Sequence, residues 1–371
     1  MSFISLEFVL LFLFCFTLYH LVGDRGRKFV LIAASGVFIG YFNPVFLVTA
    51  LVVSLFTYGA AILVERACEK SRGSRLIYWS SISCLVLCWI GFRYANQLTG
   101  DSGFIFPLGM SFYTFQAIGY LTEVYWEEEK AERNIMDFLL YMLLFMKFLS
   151  GPIERSADLL PQVRRLSPAS YSMMTYGLRL ILVGLVKKLL LADHIAPYID
   201  GVFDSMHTVS GVQLFMACLL YPIELYADFS GYTDMAIGTG MLFGLKLSPN
   251  FAHPFAAQTT AEFWRRWHIS LSSWVRDYLF LPLSSLTRRW GQWGVAASLI
   301  VTFIALGVWH GAGWTFAVYG LIQGLVIVWE LRTKKIRNVI RKRIGKRLFS
   351  TLSVIRTYII FAVSLVFFKA Q

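Results

Sequence analysis

Three clusters in this sequence set chemically capable side chains in surroundings that make them costly to keep. The first is Gly307-Val308-Trp309-His310-Gly311-Ala312-Gly313-Trp314. It places one imidazole between two apolar runs and follows it with small residues, so a substrate could approach closely. A neutral imidazole there can act as a general base towards a hydroxyl. The plainer reading is a satisfied core histidine. The second cluster is Glu262-Phe263-Trp264-Arg265-Arg266-Trp267-His268-Ile269-Ser270, continuing to Trp274, Arg276, Asp277 and Tyr278. On a continuous helix Arg265 and His268 lie near one face, and Glu262 can neutralise Arg266 at i,i+4. The plainer reading is an interfacial amphipathic helix anchored by its tryptophans. The third runs from Tyr226 to Met235 and carries Asp228, Ser230, Tyr232, Thr233 and Asp234. Asp228 and Asp234 do not share a face of an unbroken helix, and Gly231 could break it. Either the cluster lines a polar cavity, or it is polar glue between helices.

Other chemistries lack parts. No HExxH or HxxEH occurs and the six histidines are scattered, so no metal site is expected. Neither GxxxxGK[ST] nor GxGxxG is present to cradle a phosphate, and no GxSxG elbow appears. The five cysteines, at 15, 68, 84, 88 and 218, form no CxxC pair and read as small apolar core residues. Taken alone, these residues support a membrane enzyme using one or two histidines. They equally support a transporter with His310 and the aspartates as a proton path.

The elements that must position them belong to a membrane. Of 371 residues, 57% are hydrophobic and only 15% charged, with mean hydropathy +0.61. A soluble domain carries about 25% charged residues, and a disordered chain lacks this much apolar surface. At about 20 residues per span, the apolar runs would fill roughly ten transmembrane or re-entrant helices, which predicts an all-α polytopic protein. The net charge of +12, from 34 basic and 22 acidic side chains, comes from basic residues set between apolar runs. That is the pattern of cytoplasmic loops, so no nucleic-acid partner is expected. The bias puts the basic segments after Val22 and after Val64 in the cytoplasm, and the Asn96–Ser102 loop and the N-terminus outside. Phe3–Leu21 has no basic lead and no cleavage site, and reads as a retained first span.

Along the chain, Asp24-Arg25-Gly26-Arg27-Lys28 reads as a basic turn. Apolar runs follow at Phe29–Phe42, Val45–Val64 and Leu76–Tyr94, then a helix opens near Phe106-Pro107 and runs to about Tyr125. Phe138–Leu149 is too short to span and suits a re-entrant helix. Ser156–Ser170 reads as an exposed loop. Tyr176–Leu191, Val212–Leu225, Met235–Leu247, Val295–Trp309, Trp314–Trp329 and Leu352–Phe368 complete the apolar runs. Arg332–Arg347 holds nine basic residues and no acidic one, with Ile336, Val339, Ile340, Ile344 and Leu348 at helical spacing. It predicts an amphipathic helix on the cytoplasmic surface, in contact with membrane lipid; the plainer reading is charge that sets the topology.

Five motifs in order resemble the membrane-bound O-acyltransferase (MBOAT) family, in its alginate O-acetylation branch. They are Pro107-Leu108-Gly109-Met110-Ser111-Phe112-Tyr113-Thr114-Phe115-Gln116 and Ser150-Gly151-Pro152-Ile153-Glu154-Arg155. Asp228–Gly238 follows, then Glu262–Ser272 with Arg276-Asp277-Tyr278-Leu279, and last Trp309-His310-Gly311-Ala312 with Trp314-Thr315-Phe316. The resemblance spans roughly residues 3 to 369.

The resemblance implies an MBOAT-like helical core with a central cavity in a bacterial inner membrane. It implies an acyl donor such as acetyl-CoA arriving from the cytoplasm, with no cofactor held by the protein. The acceptor is a hydroxyl in an extracytoplasmic polysaccharide pathway, commonly served by a separate SGNH-type acetyltransferase partner. The family's essential histidine carries over to His310, and the second to His268. Trp309, Asp228, Tyr232, Asp234, Arg265, Arg266, Trp267 and Arg276 become candidate substrate contacts, with Arg265 and Arg266 placed to hold anionic parts of CoA. The chain departs from the pattern at Ser284 and Ser285, where glycines are frequent, and at Gln323, near a frequent histidine. Relatives continue past the final Phe-Phe-Lys-Ala, so the expectation is one membrane domain over residues 1–371, short of a C-terminal portion. D-alanyl transfer from a carrier protein, a proton-coupled transporter and a non-catalytic assembly protein are the rival readings.

Overall fold

The computed structural model describes residues 3–69, 73–96, 105–311 and 313–369. Most of the loop predicted to face outward, and Ala312 of the histidine cluster, lie outside the described residues. All named elements are helices. The one extended pairing among the described residues is an antiparallel bridge between Phe251 and Trp267. Among the described residues, six helices are long and apolar enough to cross a membrane: Pro44–Glu69, Ser74–Arg93, Gly211–Leu242, Gln292–His310, Trp314–Arg332 and Lys346–Lys369. Leu6–Leu21 is apolar but shorter. The chain is therefore an all-α, multi-pass membrane protein. It divides into two compact units, Met1–Leu185 with Tyr232–Ser248, and Val186–Gly231 with Pro249–Gln371.

The first unit opens with α1 (Leu6–Leu21), α2 (Asp24–Phe42), α3 (Pro44–Glu69) and α4 (Ser74–Arg93). The expected basic turn at 24–28 is instead the first turn of α2. Gly23 caps it, and Asp24 pairs with Arg27 at 2.6 Å within it. An acidic residue at a helix start complements the helix dipole, which a reading of basic charge alone overlooks. α5 (Met110–Tyr125) begins after Gly109, whose φ of +71° a residue with a side chain rarely adopts. The short apolar run becomes α6 (Ile135–Leu143) and α7 (Phe145–Phe148), broken at Leu144 and buried throughout from Phe138 to Phe148 except at Leu139. Two pieces this short cannot span a bilayer core. Their break buries a cation: Lys147 donates to Gln116 at 2.5 Å, and Glu154 of the following turn accepts from the Ser248 N–H and hydroxyl.

The segment 156–164 is not an exposed loop. It forms α8 (Ser156–Arg164), with Leu159, Leu160 and Val163 buried. Pro161 suggests a loop, but the leucines and Val163 recur at helical spacing and outweigh it. α9 (Tyr171–Val186) closes the unit against the C-terminal half of the long helix below. There Gly177 and Gly238 meet so closely that a Cβ on Gly238 would lie 2.5 Å from the Gly177 carbonyl oxygen.

The second unit begins with one π-helical turn, Lys187–Ala192, and α10 (Asp193–Asp204). α11 (Gly211–Leu242) is a single helix of 32 residues. Gly231 therefore does not break it, and the two apolar runs around it are one element. α12 (Thr260–Arg266) and α13 (Ile269–Val275) are separated by an extended Trp267 and a left-handed His268. A π-helical turn, Arg276–Phe280, then leads into α14 (Leu281–Leu286). α15 (Gln292–His310) and α16 (Trp314–Arg332) form a tight antiparallel hairpin. Its glycines allow the contact: a Cβ on Gly307 or Gly320 would lie 2.1 Å from the carbonyl oxygen of Phe316 or Phe303. α17 (Lys334–Ile344), α18 (Lys346–Ser364) and α19 (Val366–Lys369) end the described chain.

Candidate active site

The segment around His268 is not the continuous helix the spacing predicts, so Arg265 and His268 do not share a helical face. The Thr259 hydroxyl caps the start of α12 by accepting from the Glu262 N–H. The helix stops after seven residues because residues 250–252 run alongside its end. The Ala252 N–H donates to the Arg266 carbonyl at 3.0 Å, and the Ile269 N–H donates to the Asn250 carbonyl at 2.9 Å. Between those two bonds His268 takes φ +44° and ψ +57°. Non-glycine residues enter this left-handed region seldom, and such strain marks functional sites often enough to need explaining. The result turns the imidazole inward, where it is 3% exposed and meets the Phe229 ring edge-on at 4.7 Å.

His310 is the last residue of α15 and is half-buried. Its ring packs against Trp309 at 4.6 Å and Phe368 at 5.2 Å. The two histidines sense each other. Burial first, and then the charge on His310, hold the His268 imidazole down to about 3, against about 6.5 in water. His268 is thus neutral over the working pH range. One buried neutral imidazole and one half-buried imidazole at a helix terminus share this unit.

The same unit holds a cavity of about 340 Å³, lined by Ile269, which follows His268, and by Leu306, one turn before His310. Its walls are largely apolar, from Ile269, Phe303, Leu306 and neighbours, while Arg265 and Arg276 line it as exposed cations. The Thr302 hydroxyl is buried in its wall with no hydrogen-bond partner among the described residues. A predominantly apolar pocket with a few convergent polar groups is the usual form of a ligand site.

The remaining sequence candidates distribute unevenly. Asp228, in the same unit, accepts from Lys188 at 2.7 Å, and Lys188 also reaches Asp193 at 2.8 Å. Arg266 pairs with Glu262 at 2.6 Å, as the i,i+4 spacing predicts. Arg276 pairs with its neighbour Asp277 at 2.7 Å. Trp267 is buried between aromatic rings, stacked on Phe263 at 5.4 Å. Tyr232 and Asp234 belong to the other unit, where the Tyr232 ring meets Phe3 edge-on at 4.8 Å.

Four residues support the site without having been read as site residues in the sequence. Asn250 and Phe229 hold the His268 turn, and Thr302 punctuates the cavity wall. Gln323, fully buried, accepts from the Trp264 indole N–H at 3.0 Å and donates to Ser364 at 2.7 Å. Only the departure at Gln323 drew notice beforehand; its bridging role needs three elements folded together.

Residues 127–368 match the family described as MBOAT, membrane-bound O-acyltransferase family. The probable alginate O-acetylase AlgI of Pseudomonas aeruginosa is 32% identical over 389 residues, covering 100% of this chain and 72% of the relative. The peptidoglycan O-acetyltransferase of Helicobacter pylori is 32% identical over 337 residues, covering 81% of this chain and 63% of that protein. The teichoic acid D-alanyltransferase of Streptococcus thermophilus is 27% identical over 292 residues, covering 75% and 70%. By the matched residues and by identity sustained along its length, this chain belongs to the membrane-bound O-acyltransferase family of enzymes.

Proposed function

We propose that this protein transfers an acetyl group from cytoplasmic acetyl-CoA to a hydroxyl outside the bacterial inner membrane. The acceptor is a cell-envelope polysaccharide, or an SGNH-type partner transferase that passes the group on. The observation that carries the reading is that His268, which feels the charge on His310, shares one unit with a cavity that is lined by its neighbour Ile269 and edged by two arginines. His310 takes the proton from the acceptor hydroxyl as its oxygen attacks the thioester carbonyl. The tetrahedral adduct collapses by breaking the carbon–sulfur bond, and the thiolate leaves. Thiols ionise near pH 8.5, so the leaving group needs no strong acid. A helix C-terminus favours the positive charge that His310 gains in this step. His268, neutral and sterically fixed, positions His310 and the donor. Arg265 and Arg276 hold the donor's anionic portion through charge-assisted contacts.

Greater identity to the O-acetylating relatives than to the D-alanyltransferase favours acetyl over D-alanyl transfer. The test is transfer in proteoliposomes supplied with radiolabelled acetyl-CoA or, separately, a D-alanyl-loaded carrier protein, with envelope polysaccharide as acceptor. Label should pass from acetyl-CoA in wild type and fall 10²–10⁴-fold in His310→Ala. Transfer only from the carrier would replace acetyl with D-alanyl. Solute flux without transfer would replace the enzyme reading with the transporter, and full activity in inserted His310→Ala would remove the base.

A further inference from the structure

We infer that α17, with the basic pocket at its start, is a docking surface for the anionic phospholipid leaflet of the membrane that holds the protein. α17 has no buried residue, yet Ile336, Val339, Ile340 and Ile344 are 61%, 51%, 42% and 38% exposed. At 100° per residue these four fall within a stripe of about 140°, entered by one charged residue, Arg343. Its long stem lets the head reach water from such a position. The opposite side carries Lys334, Lys335, Arg337, Arg341 and Lys342, and the chain has no acidic residue after Glu330. A helix this charged, with an unpartnered apolar stripe, lies in a bilayer interface.

Its neighbours independently mark the same level. Trp290 and Trp293 before and within α15, and Trp329 at the end of α16, are 64%, 73% and 48% exposed. Exposed tryptophans of a membrane protein concentrate at the headgroup level. The Arg332 guanidinium lies over the Trp293 ring at 4.6 Å and donates to Gln292 at 3.1 Å. Between them opens a cavity of about 520 Å³, where Arg332, Lys334 and Lys335 face the apolar Val295, Val328 and Leu331. Three cations above an apolar wall fit one phosphate diester and the top of its acyl chains. Charge complementarity selects the occupant: an anionic lipid satisfies both cations and wall, whereas a zwitterionic one brings its own ammonium to the same place.

The test uses the full chain, purified in detergent and examined by native mass spectrometry after adding phosphatidylglycerol or phosphatidylcholine. Each cation engaged by an anionic lipid surface contributes about a fivefold preference. Wild type should retain phosphatidylglycerol at least fivefold better. Lys334→Gln with Lys335→Gln should lower that preference at least fivefold, whereas Lys334→Arg with Lys335→Arg should keep it. Circular dichroism and gel filtration show whether each variant is folded. An Arg341→Gln, Lys342→Gln variant, which alters only exposed positions, should lower the preference likewise if the first pair misfolds. Equal retention by wild type, or a preference left undiminished in both neutralised variants, overturns the proposal. Displacement of phosphatidylglycerol by millimolar inorganic phosphate also overturns it, since the pocket would then hold free phosphate.

Discussion

The side-chain oxygen of Asn250 accepts two hydrogen bonds from Ser270, one from its N–H at 3.2 Å and one from its hydroxyl at 2.6 Å. With the Asn250 carbonyl holding Ile269, one residue thus grips both positions that follow His268. Asn250→Ala removes an acceptor from two buried donors and should cost about 1–3 kcal/mol. Small displacements at a reacting centre are expensive, about 10²-fold for 1 Å. Acyl transfer by Asn250→Ala should fall 10–100-fold, while Asn250→Asp, which keeps the acceptor, should retain more. Thermal unfolding and initial rates on the same reconstituted samples check both parts.

His268 carries two separable demands, a left-handed backbone and an imidazole. Asparagine tolerates that backbone well, whereas a β-branched residue does not. His268→Asn should therefore fold with near-native stability and His268→Val should lose about 1–2 kcal/mol more. Both should lose most of their transfer activity. If His268→Val matched His268→Asn in melting temperature, backbone strain would not be what holds this turn.

Acid should destabilise the protein through the same residue. The folded state keeps the His268 pKa near 3, below the unfolded value near 6.5. Between those limits the unfolded chain binds a proton that the folded chain does not, so stability rises with pH. The contribution is fully present above about pH 6.5 and is lost as pH falls towards 3. Melting temperature followed from pH 7 to pH 4 should drop further in wild type than in His268→Asn. Parallel curves would place the acid sensitivity elsewhere.

Gln323 joins α12, α16 and α18 by accepting from Trp264 and donating to Ser364. Leucine has the volume but neither function. Gln323→Leu should cost about 1–3 kcal/mol for each polar group it strands. Because the cavity wall includes Trp264, the KM for the donor should rise with the loss of stability. Unfolding in detergent and a donor titration measure the two effects. An unchanged KM would separate Trp264 from donor binding.

Much of this was legible before any coordinates. Apolar run lengths located α3, α4, α15 and α16 to within a few residues, because a membrane helix satisfies its own backbone and needs little from its neighbours. The isoleucine spacing likewise located α17. Failures came where tertiary contacts override local pattern. Gly231 sits inside α11 without breaking it, and Pro161 sits inside α8, whose Leu159, Leu160 and Val163 bury against the unit. The break at His268 was invisible because its cause lies in residues 250–252, one short loop upstream of α12. The Glu262–Arg266 pair was read correctly since both partners lie on one helix. Asn250, Thr302 and Gln323 act only across elements, and a single polar letter in an apolar stretch does not announce its partner.

The α15–α16 hairpin also acts as a ruler. Thr302 lies in the cavity wall and His310 ends the same helix, about 12 Å further along its axis at 1.5 Å per residue. The wall continues along that helix to Leu306, about 6 Å short of His310, and in the proposed reaction a donor gripped by Arg265 and Arg276 spans the remainder to present its carbonyl to the imidazole. Selection then falls on tether length. A thioester on a long flexible arm reaches His310 without leaving the arginines, and a short-armed thioester must give up one to meet the other.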